Sequence, residues 1–331
     1  MAGYDLKEGK LKKPKGKDAN KQLWVVIASL FSNKSKKNTT YKFVFLKSIL
    51  DNLYNSEKSV GGMRISFDAI FEKFTEICWN LVVIYGLYNR KPYNDGSTSL
   101  VERKVLELAN EFKVPKEGIR FESLDTDKKE RAVKIVTKEA KRYVVGAIYG
   151  DTKGYLYSFS KKESMICIGF NAYTILCEHK LILEKANYFE WAKFLEIINE
   201  DNNTDKLLNH LDESGKRKSL GMYREILEEE FGQNKCFYCG KKLTKRYTEV
   251  DHFIPWSFVK NDNIWNFVLS CRDCNNKKRD KLPSKKYLDR IEKRNIQMNI
   301  ELETSQHYRK GYVSRIYKFA EDNGYNEYWS K

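Results

Sequence analysis

Two Cys-x-x-Cys pairs constrain this chain more than any other feature: Cys236-Phe-Tyr-Cys239 and Cys271-Arg-Asp-Cys274, with residues 240–270 between them. Four thiolates carried on two tight turns can aim at one tetrahedral cation, and a closed Cys₄ set is a structural Zn²⁺ site. The remaining cysteines, Cys78, Cys167 and Cys177, share no regular spacing. They read as small core residues, and no disulfides are expected.

Between and just after the cysteine pairs lie donors of a different kind: Asp251-His252, Asn266 and Asn275. Phosphodiester hydrolysis needs a base to generate hydroxide and a hard cation to offset charge on the phosphate. His252 suits the first role, because imidazole titrates near neutrality. Asp251 precedes it on an expected strand and so points to the opposite face, where a metal can be reached. Asn275 starts an expected helix and can offer its amide oxygen to the same ion. Oxygen-only ligation favours Mg²⁺ or Mn²⁺ over Zn²⁺. Two ions with separate tasks are therefore expected, a structural zinc on Cys236, Cys239, Cys271 and Cys274, and a catalytic Mg²⁺ or Mn²⁺ on Asp251 and Asn275.

From Glu249-Val-Asp-His-Phe-Ile-Pro-Trp-Ser-Phe258 through Leu282-Pro283, the chain resembles the HNH endonucleases and their ββα-metal core. His252 falls on the family's first histidine, Asn266 on its central asparagine, and Asn275 on its third signature position. The register, with asparagine in third place, is similar to the HNH domain of RNA-guided CRISPR nucleases, which lack these cysteines. The resemblance implies His252 as general base, Asp251 and Asn275 as cation ligands, and Asn266 as the residue orienting the loop that carries His252. It also implies hydrolysis of DNA, leaving 5′-phosphate and 3′-hydroxyl ends. Lys278, one helical turn after Asn275, would bind a phosphate.

A formal charge of +16 is consistent with a polyanionic partner. Lys277, Lys278, Arg279 and Lys281 follow directly on the last cysteine pair and are the expected nucleic-acid contacts, continued by Lys285, Lys286, Arg290, Lys293 and Arg294. No run of about 18 apolar residues occurs, and the lysine-rich start lacks the apolar centre of a signal peptide. The expectation is a cytoplasmic protein with no membrane partner.

The fold class expected is α+β: an α-rich N-terminal domain with a small antiparallel β-meander, then a C-terminal HNH ββα-metal domain with a Cys₄ zinc site. The boundaries expected are a basic flexible tail at 1–22, the α-rich domain at 23–200, a polar linker at 201–219, and the nuclease domain with a C-terminal helix at 220–331. Apolar spacing predicts helices from Tyr41, from Ser66 as N-cap, over 100–112 and over 128–141. Period-two patterns predict strands at 143–149, 155–159 and 165–170. Asn187 is expected to cap a helix bearing Trp191, Leu195 and Ile198.

The N-terminal domain carries no motif that converts into chemistry. A role in specificity, dimerisation or docking remains for it, and no Walker-type glycine loop is present, so ATP hydrolysis would come from a separate sensor or ATPase partner. Asp125, Asp127 and Lys129 form a triplet common by chance, the strand aromatics Tyr155, Tyr157 and Phe159 read as a half-buried face, and His179, His210 and His307 read as structural. Restriction or antiphage defence is the expected setting. The alternatives are a non-catalytic zinc module that binds nucleic acid and an HNH nuclease acting on RNA.

Overall fold

The computed structural model describes residues 6–14, 18–32, 38–94, 96–199, 207–213, 220–230, 232, 234–244, 246–300, 302 and 308–331. The chain divides into two compact units, Met1–Lys216 and Arg217–Lys331. His307 and most of the expected linker lie outside the described residues.

The first unit opens with β1 (Glu8–Gly9) and α1 (Ala19–Ser29), then α2 (Tyr41–Asp51), β2 (Glu57–Lys58), β3 (Met63–Ser66) and α3 (Phe67–Trp79). Helices α4 (Leu100–Glu111), α5 (Thr126–Ala140) and α6 (Val144–Asp151) follow. Strands β4 (Tyr157–Ser160) and β5 (Met165–Ile168) come next, then α7 (Phe170–Glu178), α8 (Lys180–Ile198) and α9 (Leu207–Glu213). The five strands form one sheet in the order β1-β4-β5-β3-β2, with every pairing antiparallel. Ser66 starts α3 as expected, its side chain accepting from Ala69 N at 3.2 Å.

Three local expectations are corrected here. The apolar run 143–149 is not a strand: residues 144–148 are all buried within α6, and a short run enclosed on every side carries no periodicity to separate helix from strand. Asn187 caps nothing; it is buried inside α8, where its side chain donates to Phe43 O at 3.0 Å. The expected tail at 1–22 also contributes to the fold, because Glu8 and Gly9 pair with Ser160 and Phe159, and α1 begins at Ala19.

The core between α2, α3 and α8 is aromatic, with Phe45, Phe71, Phe74, Trp79 and Trp191 all fully buried. It also encloses charge. Lys47 bonds Asp51 one turn along α2 and Glu184 of α8 at 3.3 Å, while Lys180 reaches Glu184 at 2.6 Å. Buried ions are tolerated only when paired in this way. Cys78 and Cys177 lie in this unit's core and Cys167 is half-buried.

The second unit starts with α10 (Gly221–Glu225), whose coil continues as a π-turn over Ile226–Glu230. Strand β6 (Thr248–His252), short helix α11 (Trp256–Val259), strand β7 (Phe267–Cys271) and helix α12 (Arg272–Lys278) form the centre. Then come β8 (Leu282–Pro283), α13 (Leu288–Gln297), α14 (Tyr312–Asp322) and β9 (Tyr328–Trp329). Strands β6 and β7 pair antiparallel from Thr248↔Cys271 to His252↔Phe267. One face of this hairpin carries Val250, Phe267 and Leu269 against Leu227 and Tyr223 of the first helical segment. The last helix folds back within the unit: Glu292 of α13 accepts from Gly311 N, Ser314 N and Ser314 Oγ, each at 2.9 Å, at the start of α14.

Candidate active site

The cysteine clamp is built from two local devices. In the first, Gly240 N donates to Cys236 O at 2.9 Å and Cys236 N to Lys241 O at 2.8 Å, closing a knuckle that Gly240 completes at φ +73°. In the second, Cys271 ends β7 in extended conformation and caps α12, so Cys274 falls in the helix's first turn. The four sulfurs lie within 4.8 Å of one another. With Zn–S near 2.3 Å, sulfurs of a regular tetrahedron are about 3.8 Å apart; Cys239 Sγ and Cys271 Sγ are 3.8 Å apart. The residues fit a Cys₄ zinc ion.

Their protons are unevenly held. Burial lifts the Cys274 thiol far above its ordinary range, and hydrogen bonds among the thiols raise it further. At Cys236 burial also acts upward, but backbone hydrogen bonds from Cys239, Cys271 and Tyr238 outweigh it and lower the thiol. A cation takes its cysteine ligands as thiolates, so binding here would release protons.

His252 and Asp251 end β6 on opposite faces. The His252 ring lies edge-on to Phe267, with centroids 4.6 Å apart, and its Nε2 is 2.8 Å from Asp262 Oδ1. The side chain is 1% exposed, on the face flanked by Tyr223, which packs on Phe267 and donates to Asp262 O at 2.9 Å. Asp251, also buried, accepts from the Tyr238 hydroxyl and from Lys278 Nζ at 3.2 Å. Burial and the Asp251 charge push the Tyr238 phenol well above its usual range, so it remains the donor.

Asn266 is fully buried and grips the loop beyond His252. Its Oδ1 accepts from Ile254 N at 2.8 Å, its Nδ2 donates to Ile254 O at 2.9 Å, and its own carbonyl accepts from Phe253 N at 2.7 Å. Asn275 is half-buried on α12, one turn before Lys278 and hence on the same helix face. Asp251 and Asn275 each offer oxygen, the donor type that hard cations take.

Lys278 is a correction to the expected nucleic-acid contacts. Its side chain is wholly buried, donating to His252 O at 2.7 Å and to Asp251, and is not presented to a phosphate. Lys277 and Arg279 are exposed, and Lys281 pairs with Glu327 at 2.9 Å on the surface. Two further site residues carried no recognised signal. Tyr238 lies between the first two cysteines, where an aromatic reads as packing; Asp262 lies in a loop whose approach to His252 exists only after folding. The isolated histidines have structural surroundings, His179 against Trp24 and His210 stacked on Tyr85.

Residues 236–284 match the model of the HNH endonuclease family. The C-terminal unit therefore contains an HNH endonuclease domain, spanning both cysteine pairs, β6, β7 and α12. No curated protein and no solved structure matches the chain significantly. Among the described residues, no helix is long and apolar enough to cross a membrane.

Proposed function

We propose that the C-terminal unit is a metal-dependent endonuclease that hydrolyses DNA phosphodiester bonds, with His252 as general base. The observation that carries this reading is the placement of His252 and Asp251 back to back at the end of β6. Each is held by its own partners, Asp262 on one face and Tyr238 with Lys278 on the other. The family match supplies the reaction class.

Asp262 Oδ1, 2.8 Å from His252 Nε2, orients the imidazole. As general base the ring takes the proton from the water attacking phosphorus. Asn266 fixes the loop that follows, so the imidazole is presented at a constant angle. A divalent cation, Mg²⁺ or Mn²⁺, would be held by Asp251 and Asn275 and would offset charge on the phosphate and the leaving oxygen. Because His252 is so enclosed, Tyr223 and its helix must yield when substrate enters.

The setting we propose is restriction or antiphage defence, with the N-terminal unit selecting substrate or docking a partner. Incubating plasmid, single-stranded DNA and RNA with the protein and Mg²⁺ or Mn²⁺ tests the reaction. DNA should be cut by the native chain, and His252→Ala should lose about 10²- to 10⁴-fold in rate, the usual contribution of a general base. Cleavage of RNA alone would move the substrate assignment; full activity of His252→Ala would refute the base, and no cleavage by the native chain would leave a zinc-containing binding module.

A further inference from the structure

A second cationic feature of the C-terminal unit lies apart from His252, Asp251 and Asn275. A cavity of about 540 Å³ opens between the zinc knuckle and α13, lined by Lys235, Phe237, Lys286, Arg290, Lys293 and Arg294, with Asp289 the one acidic side chain on its wall among the described residues. Residues 286, 290, 293, 294 and 297 recur at helical spacing on one face of this segment. Like charges stacked at that spacing repel, so the arrangement gains nothing for the helix itself.

Arg294 is the residue that makes this more than a charged surface. It is 9% exposed, and its Nε and Nη1 are buried without a hydrogen-bond partner, while Nη2 makes one long contact of 3.5 Å to Trp265 O. Loss of solvent pulls the guanidinium down to about 10, as expected of a buried cation. Such a group is costly to bury unless something neutralises it. Arginine's planar fork matches phosphate oxygens two at a time. Arg290, stacked 4.7 Å over the Phe237 ring, is held at the same opening.

We propose that this cleft is a phosphate subsite for the nucleic-acid backbone, with Arg294 as its buried anchor and Arg290 and Lys293 as its exposed clasp. The inference rests on the nuclease reading and adds to it a footprint extending from the cleavage centre to the zinc knuckle. The backbone enters as a polyanion, so recognition here is independent of base sequence.

The test is fluorescence anisotropy of a labelled DNA duplex with the zinc-loaded full chain in Ca²⁺, measured across a salt series. Arg290→Gln/Lys293→Gln, both exposed, should weaken binding about 10- to 100-fold at low salt and flatten the slope of log K against log salt by about two, one per lost phosphate contact. The charge-matched control Lys134→Gln/Lys138→Gln, on α5 of the other unit, should leave the slope unchanged. Arg294→Gln should flatten the slope by about one, and circular dichroism establishes that this buried variant folds. An unchanged slope in the exposed double variant, with native binding and cleavage intact, overturns the subsite while leaving the nuclease reading standing. Stabilisation by inorganic phosphate that requires Arg294, without any change in the DNA slope, also overturns it, in favour of a small-anion site. Native protein that binds DNA through this slope yet cuts nothing supports the subsite and removes the nuclease reading.

Discussion

Lys278 Nζ bridges the two adjacent residues of the candidate centre, donating to the carbonyl of His252 at 2.7 Å and to the carboxylate of Asp251 at 3.2 Å from full burial. Removing it strands a buried carboxylate. Lys278→Met is expected to destabilise the C-terminal unit by about 3–5 kcal/mol, whereas Lys278→Met/Asp251→Asn should recover much of the loss because no unpaired charge remains. Urea unfolding followed by tryptophan fluorescence checks the cycle; additive losses would show that the two groups are not coupled.

Asp262 is expected to matter for rate more than for stability. Asp262→Asn keeps the shape of the side chain but removes the carboxylate that faces Nε2. Loss of the partner that orients the proposed base is worth on the order of 10- to 100-fold in activity. Single-turnover DNA cleavage beside a thermal melt separates the effects, and an unchanged rate would mean that Asp262 does not orient the ring.

Asn266 makes two buried hydrogen bonds to Ile254, and neither has a substitute in an apolar side chain. Asn266→Leu should cost about 2–4 kcal/mol, because each stranded peptide group costs about 1–3 kcal/mol. Chemical denaturation measures this, and a variant within experimental error of the native chain would show that the loop is held by other contacts.

The cysteine clamp reaches the proposed cation ligands through covalent neighbours. Tyr238, between Cys236 and Cys239, donates to Asp251, and Asn275 follows Cys274 directly. Stripping the zinc, or Cys274→Ser, should lower zinc content below one per chain and abolish cleavage together with Mg²⁺ or Mn²⁺ dependence. Tyr238→Phe should spare zinc and weaken the response to Mg²⁺. Metal analysis with a Mg²⁺ titration of cleavage distinguishes the two, and retained activity after complete zinc loss would refute a scaffold role.

Acid sensitivity is expected at the C-terminal helix. Burial pushes Glu321 upward, but hydrogen bonds from Lys285 and Tyr328 and the charges of Lys285 and Lys318 bring its carboxyl net below the ordinary 4.5. A carboxyl lowered in the folded state contributes stability that is complete above its unfolded value and is lost as pH falls through the folded one. Melting curves of native protein and Glu321→Gln should therefore differ at pH 7 and converge as pH falls below the ordinary 4.5 and through the lowered folded value; a difference that persists in acid would point to packing.

Much of the fold was legible wherever local pattern and final environment agree. Helices α4 and α5 begin and end close to the periodic segments because one face of each is apolar and the other solvated. Residues 144–148 misled because an apolar, β-branched run looks the same in a buried helix and a buried strand. The pairing of Glu8 and Gly9 with β4 left no local trace, since its partner lies some 150 residues away.

By itself the sequence determined the donor inventory: four thiols at clamp spacing, one histidine, and oxygen-bearing side chains on either side of it, because donor chemistry depends on residue type and short spacing. Only tertiary structure decided which charges face inward. Lys277, Lys278 and Arg279 are consecutive cations; α12 turns Lys278 about 100° from Lys277 and ends there, with Arg279 as its cap. Packing of α12 against β6 buries the middle one on Asp251 and leaves its neighbours in solvent. The same folding brought Asp262 to His252 and Arg294 to the wall of a cationic cleft, contacts between distant residues that no local pattern encodes.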